Sequence, residues 1–143
     1  MTSRNEILAF IKKQSIAVIS TIDGRGLPQS AVVGFGETEE LELIFATYNS
    51  TPKYENLKRR KQVAFVIGWD DGVTVQYEGI ARELRGEEAR TYSNMYYAKN
   101  QGAQKYQRMP ENRYFLVSPV WLRYTDVDVD PWDIAELEFP AAT

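Results

Sequence analysis

The hydrophobic positions at the start of the chain follow helical spacing. Ile7, Phe10 and Ile11 recur on one face of a predicted helix, and Ser3 and Glu6 have the spacing of a capping box at its beginning. Beyond this helix the pattern changes to runs rich in β-branched residues, which are typical of buried strands. The chain is therefore predicted to begin with one amphipathic helix that is followed by β structure.

Three strands are predicted in the next part of the chain. Residues 16–22 form a nearly continuous apolar run, and a glycine-containing turn at 23–26 leads into a second strand over 29–35. A polar hairpin end at 37–40 precedes a third strand over 41–47. Because short turns join these strands, we expect them to pair in an antiparallel manner.

The middle of the chain alternates between helices and strands. A short helix over 53–60 follows Pro52, a residue that suits the first turn of a helix. A strand over 63–69 and a second, longer strand over 73–84 are separated by a glycine-containing turn. A further helix is predicted over 86–99, where alanine and tyrosine residues recur at helical spacing.

The last part of the chain contributes a short helical stretch over 103–108 and a strand over 113–126, interrupted near Pro119. Six strands joined largely by hairpins, with helices between them, predict a mainly β fold with helices, a small six-stranded antiparallel barrel. No internal repeat, low-complexity segment or change in composition divides the sequence. We therefore expect a single domain over residues 1–143.

The composition excludes several kinds of chemistry. The 143 residues include no cysteine and no histidine. Disulfides, thiolate metal sites and thiol redox chemistry are therefore excluded, as are triad hydrolases that depend on histidine. Since no remaining side chain carries out two-electron redox chemistry, an oxidoreductase with this sequence must use a cofactor.

Charge and hydropathy give expectations about location and partners. The formal net charge is −3, whereas a nucleic-acid-binding surface requires a basic face, so no nucleic-acid partner is expected. No stretch approaches the apolar length needed to span a bilayer, and the N-terminal residues predict a polar helix rather than a signal peptide. We therefore expect a cytoplasmic protein without a membrane partner.

A candidate anion site lies where the third strand meets the short helix. Thr47, Thr51 and Lys53 surround the predicted helix start, where backbone N–H groups are unpaired and the helix dipole is positive. Hydroxyls and one lysine at such a position suit a phosphate monoester. In the alternative interpretation, Thr51 only caps the helix and Lys53 is a solvated side chain.

The order of these elements resembles the pyridoxamine 5'-phosphate oxidase-like family of FMN-binding split barrels. The similar segments include Thr51-Pro52-Lys53 with Asn56-Leu57, the strand segment Tyr77-Glu78-Gly79-Ile80-Ala81, and the closing Pro119-Val120-Trp121-Leu122-Arg123-Tyr124. The resemblance implies a Greek-key split barrel and a homodimer, with FMN in the groove between the subunits and a small-molecule substrate.

The resemblance also implies which residues contact FMN. The second strand would border the isoalloxazine ring, the end of the third strand would lie under the ribityl chain, and the helix start would hold the phosphate. Two polar residues on the fifth strand and two on the last strand are further candidates, for which solvent exposure or packing is the alternative interpretation. The implied cofactor-binding residues are Ser30, Ala31, Val32, Val33, Ala46, Thr47, Thr51, Lys53, Thr74, Gln76, Trp121 and Arg123.

Departures from the family pattern restrict the expected activity. Thr51-Pro52-Lys53 stands where authentic oxidases of the family carry Ser-Arg-Lys, Tyr96 stands near the position of their substrate-phosphate arginine, and the histidine-containing C-terminal signature is missing. The chain is most similar to the short, general stress protein-like branch. We expect a flavin-dependent oxidoreductase with an unassigned substrate and no identified catalytic acid or base. The alternatives are a non-catalytic flavin-binding stress-response protein and a deazaflavin-dependent reductase.

Overall fold

The computed structural model describes residues 2–140. Three α-helices, one 3₁₀ helix and eight strands make up this part of the chain. The helices are α1 (Arg4–Lys13), α2 (Pro52–Arg59) and α3 (Gly86–Lys99), and the 3₁₀ helix spans Gln101–Tyr106. The strands are β1 (Ile16–Ile22), β2 (Pro28–Gly34), β3 (Gly36–Glu37), β4 (Leu43–Tyr48), β5 (Gln62–Ile67), β6 (Val73–Glu83), β7 (Asn112–Asp126) and β8 (Asp133–Glu138).

All eight strands belong to one antiparallel sheet. Seven of them follow the order β2-β1-β5-β6-β7-β4-β3, and β8 pairs with β7 beside this path. The long strand β7 pairs with β4 through its first half and with β8 through its second half. The strands β2 and β4 approach each other without forming a ladder, so the curled sheet remains open between them. This arrangement confirms the predicted mainly β fold and places α2 at the opening of the barrel.

Alternation along the strands separates an inner face from an outer face. On β5, for example, Val63, Phe65 and Ile67 are buried, whereas Ala64 and Val66 between them are exposed. The inner faces pack around α1 and a stack of aromatic rings, in which Phe45 and Phe115 lie 5.2 Å apart between ring centroids. On the outer face of the central strand β6, alternate residues are exposed.

A second, smaller core lies beneath α3. It contains Tyr96 and Tyr97 from the helix, Ile44 from β4 and Leu116 from β7. The aromatic positions of the predicted helix therefore pack against the sheet. This packing brings the C-terminal half of α3 close to the start of α2.

The number of strands is the main correction to the prediction, because the sheet has eight strands rather than six. The short β3 was missed because only two residues pair with β4, and β8 was missed because three of its six residues are acidic. The predicted interruption at Pro119 is a bulge inside a continuous β7. Glu78 pairs with Trp121 and Gly79 pairs with Pro119, which leaves one extra residue on β7 beside a proline that has no N–H to donate.

Other boundaries differ by one or two residues. The strand predicted over 63–69 ends at Ile67, since Gly68 adopts a positive φ of 81° that breaks the ladder. The helical stretch predicted over 103–108 is a 3₁₀ helix that begins at Gln101. Within residues 2–140, none of the helices has the length and apolar character that crossing a bilayer requires.

Candidate functional site

The start of α2 is fixed by a network of hydroxyl groups. Thr51 is the N-cap, and its Oγ1 accepts a hydrogen bond from the Tyr54 backbone N–H at 3.3 Å and donates to the Tyr48 carbonyl oxygen at 3.0 Å. Thr47 Oγ1 lies 2.8 Å from Thr51 Oγ1 and donates to it in this arrangement. The Thr51 hydroxyl is therefore fully engaged within the protein, and it positions the helix start.

A cleft of about 370 Å³ opens beside this helix start. We call it the Lys53 cleft. It lies between the first turn of α2 and the neighbouring residues of β1 and β2, and three predicted cofactor-binding residues meet in it. Its lining residues are Ile19, Thr21, Gln29, Ser30, Ala31, Pro52 and Lys53.

Lys53 is the cation of this cleft. Its side chain is half-buried, and within residues 2–140 it forms no salt bridge. Burial without an anionic partner lowers the pKa of the Lys53 ammonium, because desolvation disfavours its charged form. The Lys53 backbone N–H lies in the first turn of α2. The helix has no carbonyl oxygen one turn earlier that could accept its hydrogen bond. A bound anion would supply a partner for both groups.

A buried amide supports the floor of the Lys53 cleft. Asn56 is only 3% exposed, and its Nδ2 donates to Thr21 Oγ1 at 2.9 Å and to Gln29 Oε1 at 2.8 Å. Both Asn56 amide hydrogens are thereby used, and the Gln29 side chain accepts through its oxygen. Within residues 2–140, the Gln29 amide hydrogens and the Thr21 hydroxyl hydrogen have no acceptor. The cleft therefore offers two neutral donors beside the ammonium of Lys53.

A second cleft of about 320 Å³ lies on the other side of Thr51. We call it the tyrosine cleft. It is enclosed by the end of β4, the C-terminal part of α3, the 3₁₀ helix and the start of β7. Its lining residues are Ala46, Thr47, Tyr48, Thr51, Tyr96, Tyr97, Ala103, Tyr106 and Asn112. Three predicted cofactor-binding residues, Ala46, Thr47 and Thr51, are among them.

The remaining predicted residues do not line either cleft. Val33 is buried in the main core, whereas Val32 is 63% exposed on the outer face of β2. The other four lie on the outer face of the neighbouring strands β6 and β7, and the register places Gln76 opposite Arg123. These four residues are Thr74, Gln76, Trp121 and Arg123.

Two of the outer-face residues share an acidic partner on β8. Arg123 forms a salt bridge with Glu136, and Trp121 Nε1 donates to the other oxygen of the same carboxylate at 3.3 Å. Neither side chain is fully buried. The outer-face group is therefore organised by the hairpin of β7 and β8, and it lies at least two strands away from β1 and the Lys53 cleft.

Several site residues were missed from the sequence. Thr21 and Gln29 occur within predicted strands, where a polar residue carries no signal of its own, and the role of Asn56 depends on contacts about 30 positions away in the chain. Of the tyrosines in the second cleft, Tyr96 and Tyr97 were predicted on a helix face, with packing as the default interpretation and a dimer groove or a planar substrate as alternatives, whereas Tyr48 and Tyr106 were not identified as site residues. A useful signal was the polar Thr21 at an inward position of an otherwise apolar strand.

The sequence matches the family described as Pyridoxamine 5'-phosphate oxidase over residues 3–126. No curated protein matches it. Among solved structures, a heme binding protein from Mycobacterium smegmatis is similar, with a TM-score of 0.80 and 14% identity over 94% of this chain and 58% of that one. This chain spans 55% to 59% of the length of that protein and two others that it matches.

Two further structures match nearly end to end. One, from Clostridium acetobutylicum, is a protein related to general stress protein 26, with a TM-score of 0.73 and 14% identity over 94% of this chain and 92% of that one. The other is a pyridoxamine 5'-phosphate oxidase-related, FMN binding protein from Nostoc punctiforme, with a TM-score of 0.67 and 10% identity over 96% of both chains. At identities this low, the structural similarity establishes a shared fold and nothing more. Because the family match covers most of the sequence, the chain belongs to the pyridoxamine 5'-phosphate oxidase family.

Proposed function

We propose that this protein binds FMN and acts as a flavin-dependent oxidoreductase on a small-molecule substrate. The observation that carries the proposal is the Lys53 cleft, in which a half-buried ammonium without an anionic partner faces neutral donors. A phosphate monoester matches this set, because it accepts several hydrogen bonds and supplies the missing negative charge.

The residues present fit the FMN phosphate in distinct roles. Lys53 supplies the charge, and the first turn of α2 supplies a backbone N–H and the positive end of its dipole. Thr21 and Gln29 supply neutral donors held in place by Asn56. Thr47 and Thr51 contribute by fixing the helix start, and the β2 residues Ser30 and Ala31, which line the cleft, would border the ring.

Bound FMN would supply hydride transfer, while the chain binds and orients the cofactor and excludes water. No side chain near the Lys53 cleft is assigned as a general acid or base. A substrate that exchanges hydride directly with the flavin requires none. The protein's contribution is therefore position and polarity around the ring.

We propose FMN rather than heme for this chain, although a protein of similar fold is named as heme binding. The sequence contains no histidine and no cysteine, the most common protein ligands of heme iron. The Lys53 cleft, in contrast, offers the cation and donors that a phosphate uses. A deazaflavin remains an alternative cofactor, because its ring shape is the same.

We also propose a homodimer in which the outer face of one chain completes the flavin site of the other. Exposed apolar residues, Val32, Val66, Ile80 and Val120, lie along the outer face, and two of them, Ile80 and Val120, border a groove of about 410 Å³. Thr74, Gln76, Trp121 and Arg123 lie on this same face. A second copy packed there would bring the four residues to the ring of a flavin held by its partner.

Reconstitution tests the proposal directly. Apoprotein is titrated separately with FMN, riboflavin, a deazaflavin and hemin, and binding is followed by flavin fluorescence or by the heme Soret band. We expect saturable FMN binding that is at least tenfold tighter than riboflavin binding. Equal affinities for FMN and riboflavin, or preferential binding of hemin, would contradict the proposal.

Two further measurements address catalysis and assembly. Anaerobic reduction of the bound FMN by NADH or NADPH, followed by absorbance, distinguishes an oxidoreductase from a non-catalytic flavin-binding protein. Light scattering after size-exclusion chromatography measures the mass of the assembly. Mixing Lys53→Ala chains with Gln76→Ala chains should restore one intact site per mixed dimer, and a mixture that restores none contradicts sharing of the site.

A further inference from the structure

The tyrosine cleft has free hydrogen-bond donors on its walls. Tyr96 is only 7% exposed, and within residues 2–140 its hydroxyl has no hydrogen-bond partner. It lies beside Gly34 of β2, where an added Cβ would come within 3.4 Å of the hydroxyl oxygen. Burial raises the pKa of the Tyr96 phenol, so the group stays protonated near neutral pH and acts as a donor.

Other tyrosines of the cleft serve as its walls, and Tyr97 among them is held by hydrogen bonds. The Tyr97 and Tyr114 hydroxyls lie 2.7 Å apart, and Asn112 Nδ2 donates to both of them. Tyr48 and Tyr106 meet edge to face, with ring centroids 6.4 Å apart. These rings form a space whose flat walls suit a planar molecule.

The lining of this cleft carries no charged side chain. Lys105 lies near the rim, with its Nζ 5.2 Å from the Tyr106 ring centroid, but this lysine is exposed and solvated. The cleft also adjoins the last turn of α3, where the helix dipole is negative. An anion placed here would lose its hydration without gaining a cation.

The tyrosine cleft and the Lys53 cleft share no lining residue, and Thr51 of the first is followed in the chain by Pro52 of the second. Resting on the FMN site proposed above, we infer that the tyrosine cleft binds the substrate, and that this substrate is a planar, uncharged molecule with a carbonyl acceptor rather than a phosphorylated or carboxylated one. The Tyr96 hydroxyl donates to the acceptor, and Tyr48 and Tyr106 enclose the ring.

Coumarin and coumarin-3-carboxylate form a matched pair of probes for this inference. The two share a planar ring with a carbonyl group, and only the second is an anion at neutral pH. Binding to apoprotein and to the FMN-loaded protein is measured by isothermal titration calorimetry. We expect coumarin to bind both forms with the same affinity, and the carboxylate to bind about tenfold more weakly or worse.

Variants locate the binding. Tyr96→Phe keeps the ring and removes the donor, and Tyr106→Ala removes an exposed wall whose loss leaves the core intact. Each should weaken coumarin binding roughly three- to tenfold. Lys58→Ala, an exposed change on α2, should leave it unchanged. Thermal unfolding verifies that each variant is folded.

Each outcome has one meaning for this inference. No coumarin binding, equal or tighter binding of the carboxylate, an unchanged affinity in both tyrosine variants, or competition between coumarin and FMN would overturn it. Competition would assign the cleft to the flavin ring instead. Failure of FMN to bind while coumarin binds as expected overturns the proposed FMN site and leaves the ligand class of the cleft standing.

Discussion

The two clefts on either side of Thr51 differ in how their polar groups are satisfied. In the Lys53 cleft, buried Asn56 supports Thr21 and Gln29, and the ammonium of Lys53 is left without an anionic partner. In the tyrosine cleft, Tyr97, Tyr114 and Asn112 are hydrogen-bonded to one another, the Tyr96 hydroxyl has no partner within residues 2–140, and the lining carries no charged side chain. The first site therefore gains free energy from an anion, and the second does not.

This difference means that the two clefts favour ligands of different charge. Burial without a partner makes the charged form of a side chain less favourable. A ligand of opposite charge stabilises that charged form, and this stabilisation contributes to the free energy of binding. A neutral wall of rings gains from shape and from removal of apolar area from water. The contrast is tested most strongly by removing the cation.

Lys53→Ala should have the largest effect of the substitutions considered. Hydrogen bonds to charged groups contribute about 1.5–3 kcal/mol, so FMN affinity should fall about 10-fold to 100-fold. Riboflavin has no phosphate, and its affinity should change less than about twofold. Fluorescence titration of both ligands measures the two effects.

Lys58→Ala is the matched control on the same helix, because Lys58 is exposed and lines neither of these two clefts. Its FMN affinity should equal that of the unaltered protein. If Lys53→Ala weakens FMN and riboflavin equally, then Lys53 does not contact the phosphate, and the contrast between the two clefts is lost.

Asn56→Ala should have the second largest effect, and this effect is a loss of folding stability. Removing the buried amide leaves Thr21 and Gln29 without their shared donor, which should lower the free energy of unfolding by about 1–3 kcal/mol. Urea denaturation measures this change. Asn5→Ala, an exposed substitution in α1, should stay within about 0.5 kcal/mol. Equal changes in both variants would show that the amide network does not support the cleft.

The sequence predicts the start of α2 and its cap well, because its signals are local. Thr51, Pro52 and Lys53 are consecutive, and the cap geometry follows from residue type. The support from Asn56 depends on pairing between β1 and β2, and no local pattern contains that pairing. For the same reason, Gln76 and Arg123 were identified as polar strand residues, while their position on the outer face required the register.

The tyrosine cleft was harder to predict because the residues that line it come from distant segments of the chain. Tyr48, Tyr96 and Tyr106 belong to a strand, an α-helix and a 3₁₀ helix, and of these three helical spacing identified only Tyr96. The missed strand β8 shows the same limit. Its three acidic residues are typical of an exposed edge, and only pairing with β7 makes it a strand.

Tyr97→Phe should have a smaller effect than Asn56→Ala, because Tyr114 keeps its contact with Asn112. Loss of one hydroxyl should lower the free energy of unfolding by about 0.5–1.5 kcal/mol and leave FMN affinity unchanged. Tyr92→Phe is the control, since the Tyr92 hydroxyl makes no hydrogen bond within residues 2–140. A loss of FMN affinity in Tyr97→Phe would show that the two clefts are coupled.

The pH dependence of binding gives the smallest and most specific effect. Burial places the pKa of free Lys53 below its ordinary value of 10.5, whereas a bound phosphate favours the ammonium and raises the pKa in the complex. Between these two values, FMN binding takes up one proton. FMN affinity is therefore constant at lower pH and falls as the pH rises through the pKa of free Lys53, by at most about tenfold per pH unit.

The ratio of FMN affinity to riboflavin affinity isolates this effect, because both ligands carry the same ring and its own titration cancels. Titrations from pH 7 to pH 10 should show a ratio that is flat at first and then declines. Lys53→Arg keeps its charge over this whole range, so its ratio should remain flat. An identical decline in Lys53→Arg would assign the titrating group to another residue, and the phosphate would then be held mainly by the neutral donors and the helix start.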